Sequence, residues 1–139
     1  LLVPNGLSAP RRRELAAAAH PPRQRLAARR VVFIGHWAPR KGSRCFPELV
    51  RAVRHRVPDA CFRLMGTHTD AGELLPLFAP DDRDALEVVP QFTSDQLPDL
   101  LAGGTVGVLP SMLEGFGLGV LEMLAAGIPT VAFDIPGPR

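Results

Sequence analysis

The sequence predicts a doubly wound parallel α/β sheet. Two observations lead there. From Val31 onward, short apolar runs recur, several closed by Gly or Pro, as in strands buried on both faces. Between them lie stretches whose apolar residues recur at helical spacing, and strand–helix alternation of this kind builds βαβ units. Sheets of this class take ligands outside the carboxyl ends of their strands. The turns after each strand are therefore where function is sought.

Taken in order, residues 1–9 read as a strand and turn, with Leu1-Leu2-Val3 followed by Pro4-Asn5-Gly6. Residues 10–30 are rich in Arg, Ala and Pro, lack strand periodicity, and are expected to form a linker, insertion or surface helix. The expected strands are Val31–Gly35, Ala60–Gly66, Leu86–Pro90, Val106–Leu109 and Thr130–Asp134. The expected helices are Phe46–Arg56, Ala71–Phe78, Asp95–Ala102 and Gly117–Ala126. Pro47 suits a first helical turn, where its missing N–H costs little. Thr93 or Ser94 is placed to cap the helix that carries Leu97, Leu100 and Leu101. Gly127-Ile128-Pro129 should end the last helix. There is no internal repeat.

Composition narrows the class. With 139 residues and 46% hydrophobic content, the chain can build one α/β domain with a core of its own. No run of 18 apolar residues is present, so no membrane span is expected. No secretory signal is visible. The chain has no initiating Met and stops directly after a strand and turn, so it is expected to be a piece of a longer protein. Cys45 and Cys61 lack metal-ligand spacing and point to a reducing, cytoplasmic setting. A net charge of +2 is too weak to argue for nucleic acid. Seven Arg fall between Arg11 and Arg30. A solvated face is the plain reading of that run, and peripheral contact with an anionic membrane surface is the sharper one.

Two turns carry chemistry. The first is Gly35-His36-Trp37-Ala38-Pro39-Arg40-Lys41-Gly42, after the first strand of the alternation. The 16 cationic residues comprise 15 Arg and a single Lys, Lys41. A compact ammonium in a tight turn suits phosphate oxygens differently from a planar guanidinium. The order Lys-Gly is not that of a P-loop. His36 can reach a phosphate as a donor or be an ordinary loop histidine. Trp37 is expected to pack. The second turn is Pro110-Ser111-Met112-Leu113-Glu114-Gly115-Phe116-Gly117-Leu118, running into an apolar helix broken by Glu122. Gly115 and Gly117 would let backbone N–H groups approach a diphosphate, and the helix end favours an anion. With Glu114 and Glu122 bracketing the segment, a ligand with phosphates and hydroxyls fits: a nucleotide sugar.

At this point a family resemblance is visible. P-S-M-L-E-G-F-G-L-G-V-L-E-M-L-A-A-G-I-P-T-V-A resembles the Glu-x7-Glu signature of retaining GT-B glycosyltransferases like those of glycosyltransferase family four. V-V-F-I-G-H-W-A-P-R-K-G resembles that family's strand followed by Gly-Arg and Lys-Gly. F-T-S-D-Q-L-P-D-L-L-A-G-G-T-V-G-V-L-P-S resembles its intervening helix and strand, and P-N-G-L its crossover between domains. The resemblance covers most of residues 31–137 and the first few, with 10–30 unmatched.

The resemblance implies that 31–139 is a Rossmann-like, nucleotide-sugar-binding C-terminal half of a GT-B fold, truncated at both ends, with 1–9 the crossover from a missing domain. It implies Lys41 and Glu114 as catalytic residues and Gly35, His36, Lys41, Glu114, Gly115, Phe116, Gly117, Leu118 and Glu122 as donor-binding residues. Lys41 would hold the diphosphate, Glu114 the transferred sugar and Glu122 the ribose. His36 replaces a common Arg and Gly119 a frequent Pro. The implied reaction transfers sugar from a nucleoside-diphosphate donor to a glycan, lipid or small-molecule hydroxyl with retention. No Asp-x-Asp motif is present, and neither a metal nor a cofactor is expected beyond the donor substrate. A GT-B epimerase or phosphorylase, or a non-catalytic binding module, are the alternatives. The piece alone is expected to be nearly inactive.

Overall fold

The structure, a computed structural model, describes residues 6–135. The expected strand at Leu1–Val3, the Pro4-Asn5 half of the crossover and the turn at 136–139 lie outside the described residues. Five strands form one parallel sheet: β1 (Arg30–Ile34), β2 (Cys61–Met65), β3 (Leu86–Val89), β4 (Val106–Leu109) and β5 (Thr130–Ala132), in the order β3-β2-β1-β4-β5. All four pairings are parallel, with Val31 opposite both Phe62 and Val106. The chain thus winds outward from β1 in one direction, then returns to β4 and winds in the other. That reversal is the doubly wound pattern expected from sequence.

Alternation along the strands sorts the core onto two faces. Val31, Phe33, Phe62 and Leu64 point to one side, where they meet Phe46 and Val50 of α3 (Phe46–Arg56) and Leu74 and Phe78 around α4 (Ala71–Leu74). Phe33 and Phe46 meet edge to face at 4.9 Å, and burying each such side chain is worth roughly 1.5–3 kcal/mol. Val32 and Met65 point to the other side. There they pack with Leu97 and Leu101 of α5 (Leu97–Leu101), Met123 of α6 (Leu118–Ala125) and Ile128.

The element limits differ from the sequence pattern where proline intervenes. The helix expected over Ala71–Phe78 is an α-turn to Leu74 followed by a 3-10 turn, Leu75–Leu77, because Pro76 has no N–H to continue the ladder. α5 starts at Leu97, not Asp95. Neither Thr93 nor Ser94 caps it: Gln96 holds the cap position without a side-chain cap bond, and its Oε1 accepts from the Thr93 N–H at 2.9 Å. β5 is three residues long because its partner β4 stops at Leu109, before Pro110.

Residues 10–30 hold two helices, α1 (Ala9–Ala18) and α2 (Pro22–Ala28). Ser8 caps α1, its Oγ accepting from the Arg11 N–H at 3.3 Å. Leu15 is fully buried in the core shared with α5 and α6, so α1 lies across both helices. α2 is tied down by polar groups. Arg25 donates to the Gly127 carbonyl at the end of α6, and Thr105 Oγ1 donates to the Arg25 carbonyl. Arg29 pairs with Asp59. Of the seven arginines in this run, Arg12, Arg13, Arg23 and Arg29 are exposed.

Candidate functional site

The sheet order changes direction between β1 and β4, and the loops that leave these two strands part there. This is the topological switch point at which such sheets hold ligands. One loop carries Lys41 and the other Glu114.

The first loop is shaped by packing. Trp37 lies against Phe46 and Phe78, with ring centroids 5.2 and 6.0 Å away, so it packs and does not stack on a ligand. Pro39–Lys41 then makes a 3-10 turn closed by Gly42 in the left-handed region, φ 78°. A Cβ on Gly42 would lie 2.1 Å from the Pro110 carbonyl oxygen. Only glycine lets the two loops approach this closely, and the Met112 N–H fixes them by donating to the Arg40 carbonyl at 2.8 Å. The Lys-Gly pair thus has two separable parts: Gly42 seats the loop and Lys41 is presented by it.

From the second loop, buried Ser111 donates to Glu114 Oε1 at 2.8 Å, and the Lys41 ammonium donates to the same oxygen. The two side chains expected to meet diphosphate and sugar are therefore each other's partners. Gly117, φ 73°, holds the position before α6, and its carbonyl accepts from the Val120 N–H at 2.9 Å. The amides of Leu118 and Gly119 come ahead of that first bond, at the positive end of the helix.

These elements enclose a cleft of about 370 Å³ lined by Ile34, Gly35, Lys41, Leu109, Glu114 and the 116–119 turn, with Glu122 one turn further along α6. Glu122 is mostly buried. Burial pushes its carboxyl above the usual carboxylate range, and Arg11 of α1, 3.9 Å away, opposes this. Gly35, Lys41, Glu114, Phe116, Gly117, Leu118 and Glu122 are thus brought to one place. Gly115 is not among them: it is exposed, and a Cβ there would meet nothing within 4 Å.

His36 is exposed and opens onto a neighbouring hollow of about 420 Å³, joined to the cleft through Ile34 and Gly35. Gly66, His68, Gln91 and Phe92 complete it. The His36 and His68 rings are 5.2 Å apart. His68, Gln91 and Phe92 were not anticipated, although they follow Gly66 and Pro90, the expected ends of β2 and β3. The same edge rule would have found them. Arg11 gave no signal in the sequence, since only folding brings it to Glu122. Among the described residues, no cluster of three or more His, Cys, Asp or Glu could hold a metal ion.

Comparison with known proteins bears on this arrangement. A D-inositol 3-phosphate glycosyltransferase of Acidothermus cellulolyticus is 33% identical over 121 residues, covering 77% of this chain and 26% of that protein. The chain spans only 11% to 28% of the length of the curated relatives it matches. Among solved structures, WaaG, a glycosyltransferase involved in lipopolysaccharide biosynthesis, aligns over 99% of this chain and 38% of its own, with TM-score 0.72 and 17% identity. The pneumococcal O-GlcNAc transferase GtfA, solved in complex with UDP and GlcNAc, aligns over 77% and 21% with TM-score 0.66 and 21% identity. Both share the Rossmann-like half of the GT-B fold. The model of the family described as "Glycosyl transferases group 1" matches residues 28–139, from the end of α2 onward. On that match, which takes in most of the chain, the protein belongs to the glycosyl transferases group 1 family.

Proposed function

We propose that this domain binds a nucleoside-diphosphate sugar in the cleft between the β1 and β4 loops. The whole protein would transfer the sugar to an acceptor hydroxyl with retained configuration. The observation that carries this reading is the convergence of Lys41, Glu114, Glu122 and the start of α6 on one cleft at the switch point. Lys41 and the amides of the 117–119 turn face the diphosphate and stabilise charge as it departs. Glu114 accepts from sugar hydroxyls, and Glu122 accepts from the ribose diol. Gly35 gives the backbone close access, and His36, at the rim, contributes a donor. The acceptor, a glycan, lipid or small molecule, would be bound with the help of chain beyond this domain. Membrane contact rests on the exposed arginines Arg12, Arg13 and Arg23, since Arg11, Arg25 and Arg29 are engaged within the chain.

Binding and product analysis test the reading together. Lys41→Ala should weaken nucleoside-diphosphate binding by about 1.5–3 kcal/mol, the worth of a charge-assisted hydrogen bond. Glu114→Gln should do the opposite for the plain diphosphate, because it loosens the hold on Lys41, while it impairs sugar transfer. NMR of the product should show the donor's anomeric configuration kept. Unchanged diphosphate affinity in a folded Lys41→Ala protein sinks the site assignment, and an inverted product sinks retention.

A further inference from the structure

Arg11 lies in α1, outside the residues that match the family, yet its side chain is largely buried beside α6. Nη1 donates to Glu14 Oε2 on the same helix at 2.8 Å. Nη2 is 3.9 Å from Glu122 Oε1, is shut off from solvent, and has no hydrogen-bond partner. A buried donor left unmatched is costly. This one sits just beyond bonding range of a carboxylate that lines the cleft, while Arg11 itself does not line it.

We propose that Arg11 is a positioning residue for the ribose site: braced by Glu14, its guanidinium steers the Glu122 carboxylate and keeps it a hydrogen-bond acceptor. This rests on the reading of Glu122 as the ribose ligand. A ribose diol offers two hydroxyl donors, and an ionised carboxylate is acceptor-only, whereas a protonated one must itself donate. Burial disfavours the ionised form, and Arg11 is the cation that opposes it. The other charged groups nearby are Glu14 on α1, and Lys41 and Glu114 across the cleft, which hold each other. Asp95, ahead of α5, also feels Arg11. β4 and β5 carry no titratable side chain. Arg11 therefore acts on the nucleotide through Glu122, without touching it.

The test uses the full-length chain with UDP, GDP and ADP as probes. The tightest binder and its 2′,3′-dideoxy analogue are then titrated calorimetrically from about pH 5 to about pH 8. Glu122→Gln provides the reference for a lost ribose contact. Arg11→Met should weaken nucleotide binding about tenfold at the acid end, less at the alkaline end, moving the pH profile upward. Arg11→Lys, which keeps the charge, should restore most of the affinity. The dideoxy analogue should be indifferent to all three substitutions. NMR titration of the ligand-free Glu122 carboxyl should show its midpoint raised by Arg11→Met. If wild type and Arg11→Met give the same profile while Glu122→Gln weakens binding, the role of Arg11 is overturned and that of Glu122 survives. If Glu122→Gln leaves affinity unchanged, or none of the nucleotides binds, the ribose reading fails and takes the proposal with it.

Discussion

Gly115 and Gly117 sit two residues apart in one turn, yet the backbone constrains them differently. Gly117 has φ 73° and starts α6, while Gly115 faces open space. Gly117→Ala is therefore expected to cost about 1–2 kcal/mol, the penalty for an L-residue in the left-handed region. Gly115→Ala should leave the denaturant midpoint in place, and equal losses in the two proteins would contradict this. The sequence singled out both glycines and could not separate them, because φ is a property of the folded turn. It did separate Lys41, the single lysine among arginines. What it could not supply was the pairing of Lys41 with Glu114, since the two residues lie on different loops 73 positions apart. Gly42 illustrates the same limit: its need for a bare Cα comes from the Pro110 carbonyl on another loop.

At the level of elements, α6 combines an apolar body with one buried acid. Burial raises the Glu122 carboxyl above its unfolded value despite Arg11. The folded state then holds the proton more tightly than the unfolded chain does. Stability on this account falls as pH rises from the unfolded value through the raised folded one, and the deficit is complete above it. Glu122→Gln should thus stabilise the protein at neutral pH, and its advantage should vanish in acid. Thermal melts at several pH values check this, and a variant less stable than wild type at neutral pH would refute it. A residue that costs stability where it sits is the pattern expected of a binding group. The elements themselves were largely legible. α3 has the limits its periodicity predicts, and β4 does too. α4 and α5 depart from their expected limits where Pro76 and Pro98 alter the hydrogen-bond ladder, and β5 where its neighbour runs out.

For the whole molecule, the sequence carried the parallel sheet and its alternation with helices but not what packs over α5 and α6. The Arg-rich stretch before β1 has no strong amphipathic pattern, so the sequence left a linker, an insertion or a surface helix open for what folds as two helices. Their hold on α6 comes through Leu15, Arg11 and Arg25, contacts that are distant in sequence. Arg25 places a cation on the Gly127 carbonyl just past the end of α6, the end of a helix where the dipole favours positive charge. Arg25→Met should cost about 1.5–3 kcal/mol, the value of a hydrogen bond to a charged group. Hydrogen exchange should locate the loss in α2 and the end of α6, and an effect confined to α2 would show that the contact does not couple them. The ion pair across the switch point has a different consequence. Lys41 follows β1 and Glu114 follows β4, so their contact ties the two halves of the sheet together. On the proposed reading, a nucleoside diphosphate would draw off the lysine and leave Glu114 to Ser111 alone, whereas the intact donor would answer both side chains. The donor should therefore bind more tightly than the diphosphate it leaves behind, with the seam between the two halves of the sheet serving as the gauge of which one is held.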